Sequence, residues 1–225
     1  MRGSYGREAE NKIMLSDLVQ GYRRYRNSWS EVEREFYRDL VERGQSPEVM
    51  IIACCDSRVD PSTILDTRPG SIFMVRNVAN LVPPYTPDGD HHGTSAALEF
   101  AVRHIEVKHI IVMGHAHCGG IRALYESDRS GDFILPWMEI VAEARNHIRE
   151  NCSHLSPALQ RRLMEEEAIR VSLRNLMTFD WIRERVESGK LKLHGWYYAL
   201  AEGLLLALNP ETNSFHSLLE NDIPE

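Results

Sequence analysis

Val49-Met50-Ile51-Ile52-Ala53-Cys54-Cys55-Asp56-Ser57-Arg58 opens on an apolar run and ends in thiols, a carboxylate and a guanidinium. The apolar part shows no alternation, which is how a strand buried on both faces reads. His109-Ile110-Ile111-Val112-Met113-Gly114 repeats the pattern and runs into His115-Ala116-His117-Cys118-Gly119-Gly120. A shorter apolar run, Ile72 to Val75, lies between the two. Ahead of His109, the segment from Gly93 to Val107 predicts a crossover helix begun near Thr94. Strands alternating with helices predict a largely parallel sheet.

Working outward, Leu191 to Tyr197 predicts a fourth parallel strand, and Gly203 to Leu208, before Asn209-Pro210, a short edge strand. Helices are expected from Leu135 to Asn151 and from Pro157 to Glu187. Toward the N-terminus, Leu18, Tyr22, Tyr25, Trp29, Val32 and Phe36 recur at helical spacing between Leu15 and Glu42, predicting one or two amphipathic helices before the breaker Gly44-Gln45-Ser46-Pro47. The fold class is α/β: a mainly parallel central sheet of four strands plus a short edge strand, flanked by helices, with N-terminal amphipathic helices. With 225 residues, 43% of them hydrophobic, one core suffices. A single domain over residues 1–225 is expected, with residues 1–44 as a helical arm belonging to it.

Lys and Arg total 26 against 33 for Asp and Glu, a net charge of -7, and no basic block stands out. Nucleic acid is therefore not an expected partner. No apolar run reaches the roughly 18 residues of a membrane span, and the first thirty residues hold no apolar signal core. No membrane partner and a cytoplasmic location are expected. Four cysteines in a chain of this length read as metal ligands, nucleophiles or packing residues rather than a disulfide scaffold.

In open α/β sheets, ligands gather at the carboxyl ends of the strands. Two strands here end in reactive residues, and if they are neighbours their turns meet. Zinc takes thiolate and neutral imidazole, and three protein ligands leave a fourth position open for water. Cys54, His115 and Cys118 could supply those three. Asp56 beside Arg58 would stay ionised and act only as an acceptor, which suits a group that orients a hydroxide. The same residues also allow a structural zinc site closed by Asp56, or a hydrolase using Cys55 or Cys118 as nucleophile with a nearby histidine.

Cys54-x-Asp56-Ser57-Arg58 followed by His115-x-x-Cys118-Gly119-Gly120 resembles the β-class carbonic anhydrases. The resemblance runs from about Gln45 to Gly120, includes Arg76-Asn77-Val78-Ala79-Asn80, and resumes weakly at His194-Gly195-Trp196-Tyr197-Tyr198. It implies a lyase that hydrates carbon dioxide reversibly to bicarbonate and a proton. Cys54, His115 and Cys118 would ligate one Zn2+ per subunit, and Asp56 with Arg58 would orient the attacking zinc-held hydroxide. Gln45, Phe73, Val78, Phe100 and Gly119 would form the substrate pocket. Because the glutamine and an aromatic residue cross a subunit interface in that family, a homodimer or a larger dimer-based oligomer is implied.

Gln45 and Ile51 match the plant-like branch, whose zinc site is open, although Arg76 and Tyr198 match parts of the bicarbonate-inhibited type. The nearest alternative activity is zinc-dependent hydrolysis of carbon disulfide or another heterocumulene. On the family's spacing Cys55 is not a ligand. His117 reads as a solvated histidine at a helix start, with proton shuttling as its alternative role, and His91 and His92 read as exposed loop residues.

Overall fold

The computed structural model describes residues 13–126 and 131–219. By internal contacts the chain divides into two compact units, one ending at Gln45 and the other beginning at Ser46. The first unit contains α1 (Leu15–Asn27) and α2 (Glu31–Arg43). The expected helical segment is broken at Ser30, which caps α2. The Ser30 hydroxyl accepts from the Glu33 amide at 3.2 Å, and the Glu33 carboxylate accepts from the Ser30 amide at 2.7 Å. Trp29 stacks on Tyr37 across the turn, with ring centroids 4.3 Å apart.

The second unit runs β1 (Val49–Cys54), α3 (Pro61–Ile64), β2 (Ile72–Asn77), α4 (Gly93–Glu99), β3 (His109–His115), α5 (Gly119–Glu126), α6 (Ile134–Met138), α7 (Ala142–Asn151), α8 (Pro157–Leu176), α9 (Asp180–Glu187), β4 (Lys192–Ala199), β5 (Leu204–Asn209) and β6 (Ser214–Ser217). Among the described residues the six strands form one sheet in the order β2-β1-β3-β4-β5-β6. The pairings among β2, β1, β3 and β4 are parallel; β5 and β6 are antiparallel to their neighbours. The four expected parallel strands are all present.

The lack of alternation in β1 and β3 has its cause in the packing. Met50, Ile52, Ile110 and Val112 face a core shared with Leu98, Ile169, Phe179 and Ile182, whereas Ile51, Ala53, Ile111 and Met113 pack on the other face with Val59, Trp196 and Leu205. Each full burial of such a side chain stabilises by about 1.5–3 kcal/mol, so both faces hold the strands in register.

The fifth strand is not an edge. β5 lies between β4 and β6, and β6 closes the sheet. Asn209-Pro210 reads locally as a terminator, yet it opens a hairpin. Asn209 Oδ1 accepts from the amides of Glu211 and Thr212, and Asn213 takes the left-handed conformation that lets the chain return. The expected helix over residues 135–151 is split by a tight turn at Glu139–Val141. The one over 157–187 breaks at Met177–Phe179, where Phe179 turns into the core and the Tyr85 amide donates to the Thr178 hydroxyl. The crossover helix continues as a wider turn through Phe100–Ile105 to a left-handed Glu106.

Helix α8 crosses the sheet closely enough to exclude side chains beneath it. A Cβ on Gly195 would lie 2.9 Å from Ile169 Cγ2 and 3.0 Å from Leu173 Cδ1, and one on Gly114 would lie 2.8 Å from Ile169 Cδ1. Gly195→Ala is therefore expected to destabilise the fold by about 1–3 kcal/mol through overpacking. Thermal unfolding would register this as a loss of about 2–4 °C per kcal/mol for a chain of this size. An unchanged melting temperature would show that α8 can retreat from the sheet.

Candidate metal centre

Cys54 ends β1 and His115 ends β3, and these strands are adjacent and parallel with Ala53 level with Met113. The turn after β3 brings Cys118 back beside Cys54, so that the two Sγ atoms are 3.9 Å apart. Cys54, His115 and Cys118 are all buried and offer one ligand atom each, all within 4.8 Å of one another. Among the described residues this is the one such group, and no carboxylate belongs to it.

His115 Nδ1 lies 2.8 Å from the Ala116 carbonyl, which can only accept, so the proton is assigned to Nδ1 and the lone pair to Nε2. Nε2 is buried and has no hydrogen-bond partner. A buried lone pair facing two thiols is placed as a metal ligand is. The thiols tell the same story. Their mutual hydrogen bond draws the Cys54 pKa well below the usual thiol range, and the same contact, with burial, pushes Cys118 far above it, because two thiolates repel at this distance. Burial opposes a charge on His115, but the Cys54 thiolate, the Ala116 carbonyl and the Asp56 carboxylate together outweigh it and the net shift is upward. A divalent cation removes the conflict, and thiolate with neutral imidazole is a donor set that zinc accepts.

Asp56 sits at the edge of this group with both oxygens committed. Arg58 donates from its backbone amide (3.0 Å) and Nε (2.9 Å) to Oδ1, and from Nη2 (2.8 Å) to Oδ2. This bidentate grip holds the Asp56 carboxyl well below the usual carboxylate range. Oδ2 is also 3.9 Å from His115 Nε2. Arg58 Nη2 reaches on to the carbonyl of His117, a residue with φ of 58° in the turn between two candidate ligands. Arg76 clamps the other turn. Its Nε donates to the Cys54 carbonyl, and its Nη2 to the carbonyls of Asp56 and Val59.

Cys55 is exposed and lies outside the group, while its amide donates to the Asn77 carbonyl. His117, His91 and His92 are exposed, as expected. Val78 follows β2 and lies by the second turn, since a Cβ on Gly120 would be 2.7 Å from Val78 Cγ1. Gly119 is exposed and opens α5, with nothing within 4 Å of where its Cβ would be. Phe73 and Phe100 stack on each other with centroids 5.9 Å apart. Phe73 is level with Met50, four positions before Asn77, which is level with Cys54, or ~13 Å along the strand. Within one chain, then, these two rings are not gathered at the metal ligands. Gln45 is exposed at the end of the first unit.

Glu165 received no role from sequence reading. It is buried on α8 and accepts from the Cys118 amide at 3.1 Å and the Tyr197 hydroxyl at 2.9 Å. Burial raises its pKa against the pull of these two donors. A signal existed: Glu165 shares one helix face with Ala168, Ile169, Ser172 and Leu176, so a carboxylate falls on the apolar stripe.

A family model described as "Carbonic anhydrase" matches residues 49–205. Beta carbonic anhydrase 5, chloroplastic, of Arabidopsis thaliana is 39% identical over 84% of this chain, which spans 62% of that protein's length. The solved structure of the β-carbonic anhydrase CcaA superposes with a TM-score of 0.84 at 32% identity, covering 90% of this chain and 91% of the other. One of two tetrameric β-carbonic anhydrases from Sordaria macrospora gives 0.72 at 29% identity, covering 86% and 93%. The matched region includes both turns that carry the clustered donors and most of the sheet that aligns them, and with it this chain belongs to the β-class carbonic anhydrase family.

Proposed function

We propose that this chain is a zinc enzyme that hydrates carbon dioxide reversibly to bicarbonate and a proton. The observation that carries the reading is the unpartnered, buried Nε2 of His115 within 4.8 Å of two thiols, beside a carboxylate that Arg58 keeps ionised. Cys54, His115 and Cys118 would hold one Zn2+ per subunit, which when bound supplies a Lewis acid able to lower the pKa of a water into the neutral range.

The residues around the donors perform the rest. An ionised Asp56 can accept but not donate, so it would take the hydrogen of a hydroxyl held beside it and leave the oxygen lone pair free to face carbon. Arg58 fixes the direction of that acceptor. Arg58 grips Asp56 by both oxygens, and Oδ2, which takes one hydrogen bond from it, keeps a lone pair for the hydroxyl. Gly119, without a side chain, leaves space at the mouth of the second turn, and Val78 gives an apolar wall for a neutral substrate. Carbon dioxide carries no charge, so a net charge of -7 does not oppose its approach.

The family resemblance assigns Gln45, Phe73 and Phe100 to the pocket, and such a pocket is completed by a second copy of the chain. The exposed Leu15, Leu18, Tyr22 and Val41 of the first unit support a dimer-based assembly, since together they put apolar surface in water.

Stopped-flow hydration of carbon dioxide by zinc-loaded protein, repeated after chelation and after zinc restoration, tests the reading. The rate is expected to vanish with the metal and return with it. A rate indifferent to zinc, or none from fully loaded protein, would sink it.

A further inference from the structure

We propose that Glu165 is a positioning residue for the metal site, acting through the backbone of Cys118. The inference rests on the proposed reading of Cys54, His115 and Cys118 as metal ligands. Cys118 immediately precedes α5, so its amide has no partner within the helix. It is also buried, with 2% of the residue exposed, and water cannot serve as the acceptor. Glu165, 47 positions further along the chain, supplies one from α8 through Oε1. Its second oxygen accepts from Tyr197 on β4, so one carboxylate ties together the turn after β3, the long helix and the neighbouring strand.

The chemistry of the group fits the task. A carboxylate offers two acceptors and no competing donor, and here two donors converge on it. With the Cys118 peptide fixed, its Sγ is held 3.9 Å from that of Cys54 instead of swinging with the turn. The turn needs such an anchor, because His117 beside it is in the left-handed conformation, which a residue other than glycine adopts at a cost. Outer partners that orient metal ligands typically account for about 10–100-fold in metal affinity.

The test uses the full chain and two probes, Zn2+ in competition with a chelator and Co2+ read through its thiolate charge-transfer absorption. Glu165→Met fills the space without an acceptor and is expected to weaken Zn2+ binding by about 10–100-fold and to shift or weaken the cobalt–thiolate band. Glu165→Gln keeps an oxygen for the Cys118 amide and can donate to the Tyr197 hydroxyl, so it should restore affinity to within about threefold and recover the band. If Glu165→Met does not fold, Glu165→Asp takes its place. Its carboxylate, one methylene shorter, cannot reach both donors, and a measurable loss of affinity is again expected.

A folded Glu165→Met or Glu165→Asp with unaltered Zn2+ affinity and cobalt spectrum would overturn the inference while leaving the zinc reading intact. So would a Gln variant as impaired as Met. Failure of the unsubstituted chain to bind either metal would instead remove the reading beneath it.

Discussion

Asp56→Asn is expected to lower kcat/KM for carbon dioxide hydration by about 10²–10⁴-fold, the range for losing a positioned proton acceptor, while zinc stays bound. The direction follows from which oxygen does what. Oδ1 accepts twice from Arg58, from its amide and Nε, so the amide oxygen of an asparagine will take that place. The NH2 group is then forced into the position of Oδ2, the atom 3.9 Å from His115 Nε2. An acceptor becomes a donor on the side facing the candidate metal, and it also confronts Arg58 Nη2, itself a donor. The hydroxyl to be oriented would be turned the wrong way.

Stopped-flow rates together with metal analysis of the same sample check this. Loss of zinc along with rate would make Asp56 a ligand or a structural prop, and an unchanged rate would deny it the orienting role.

Cys54→Ser should abolish tight zinc binding and with it the activity, whereas Cys55→Ser should leave both within about twofold. Loss of one of three protein ligands must exceed the 10–100-fold typical of an outer partner, so about 10³-fold or more is expected for Cys54. The contrast between adjacent thiols comes from the pleat. Successive residues at the end of β1 face opposite ways, and Cys54 turns into the group with His115 and Cys118 while Cys55 is exposed. Chelator competition on the two purified variants decides it. If Cys55→Ser loses the metal and Cys54→Ser keeps it, the ligand set is wrong by one residue.

Both predictions depend on distances no linear pattern contains, yet much of the frame was readable. β1 and β3 declared themselves as uninterrupted apolar runs because each is covered on both faces, and the residues that follow them are too rich in ligand chemistry for an ordinary turn. The reading weakened wherever a distant contact overrode a local preference. Residues 157–187 keep a helical pattern throughout, but Phe179 is worth more in the core than in a continuous helix, and the helix breaks there. Ser214–Ser217 is too short and polar to signal a strand, and forms one because β5 offers it an open edge.

From the order of its residues alone, this chain was committed to a parallel sheet whose strands end in Cys54 and His115, and to the family that Cys54-x-Asp56-Ser57-Arg58 and His115-x-x-Cys118 mark. Hydrophobic period and ligand spacing are local properties, so they survive without coordinates. Only the tertiary structure decided that Cys54, His115 and Cys118 come within 4.8 Å of one another, that Arg58 grips Asp56 by both oxygens, and that Glu165, inside an acidic run, is buried against the Cys118 amide. Each of these depends on which side of a strand or helix a residue occupies and on what an element far along the chain places opposite it, and that is set by packing.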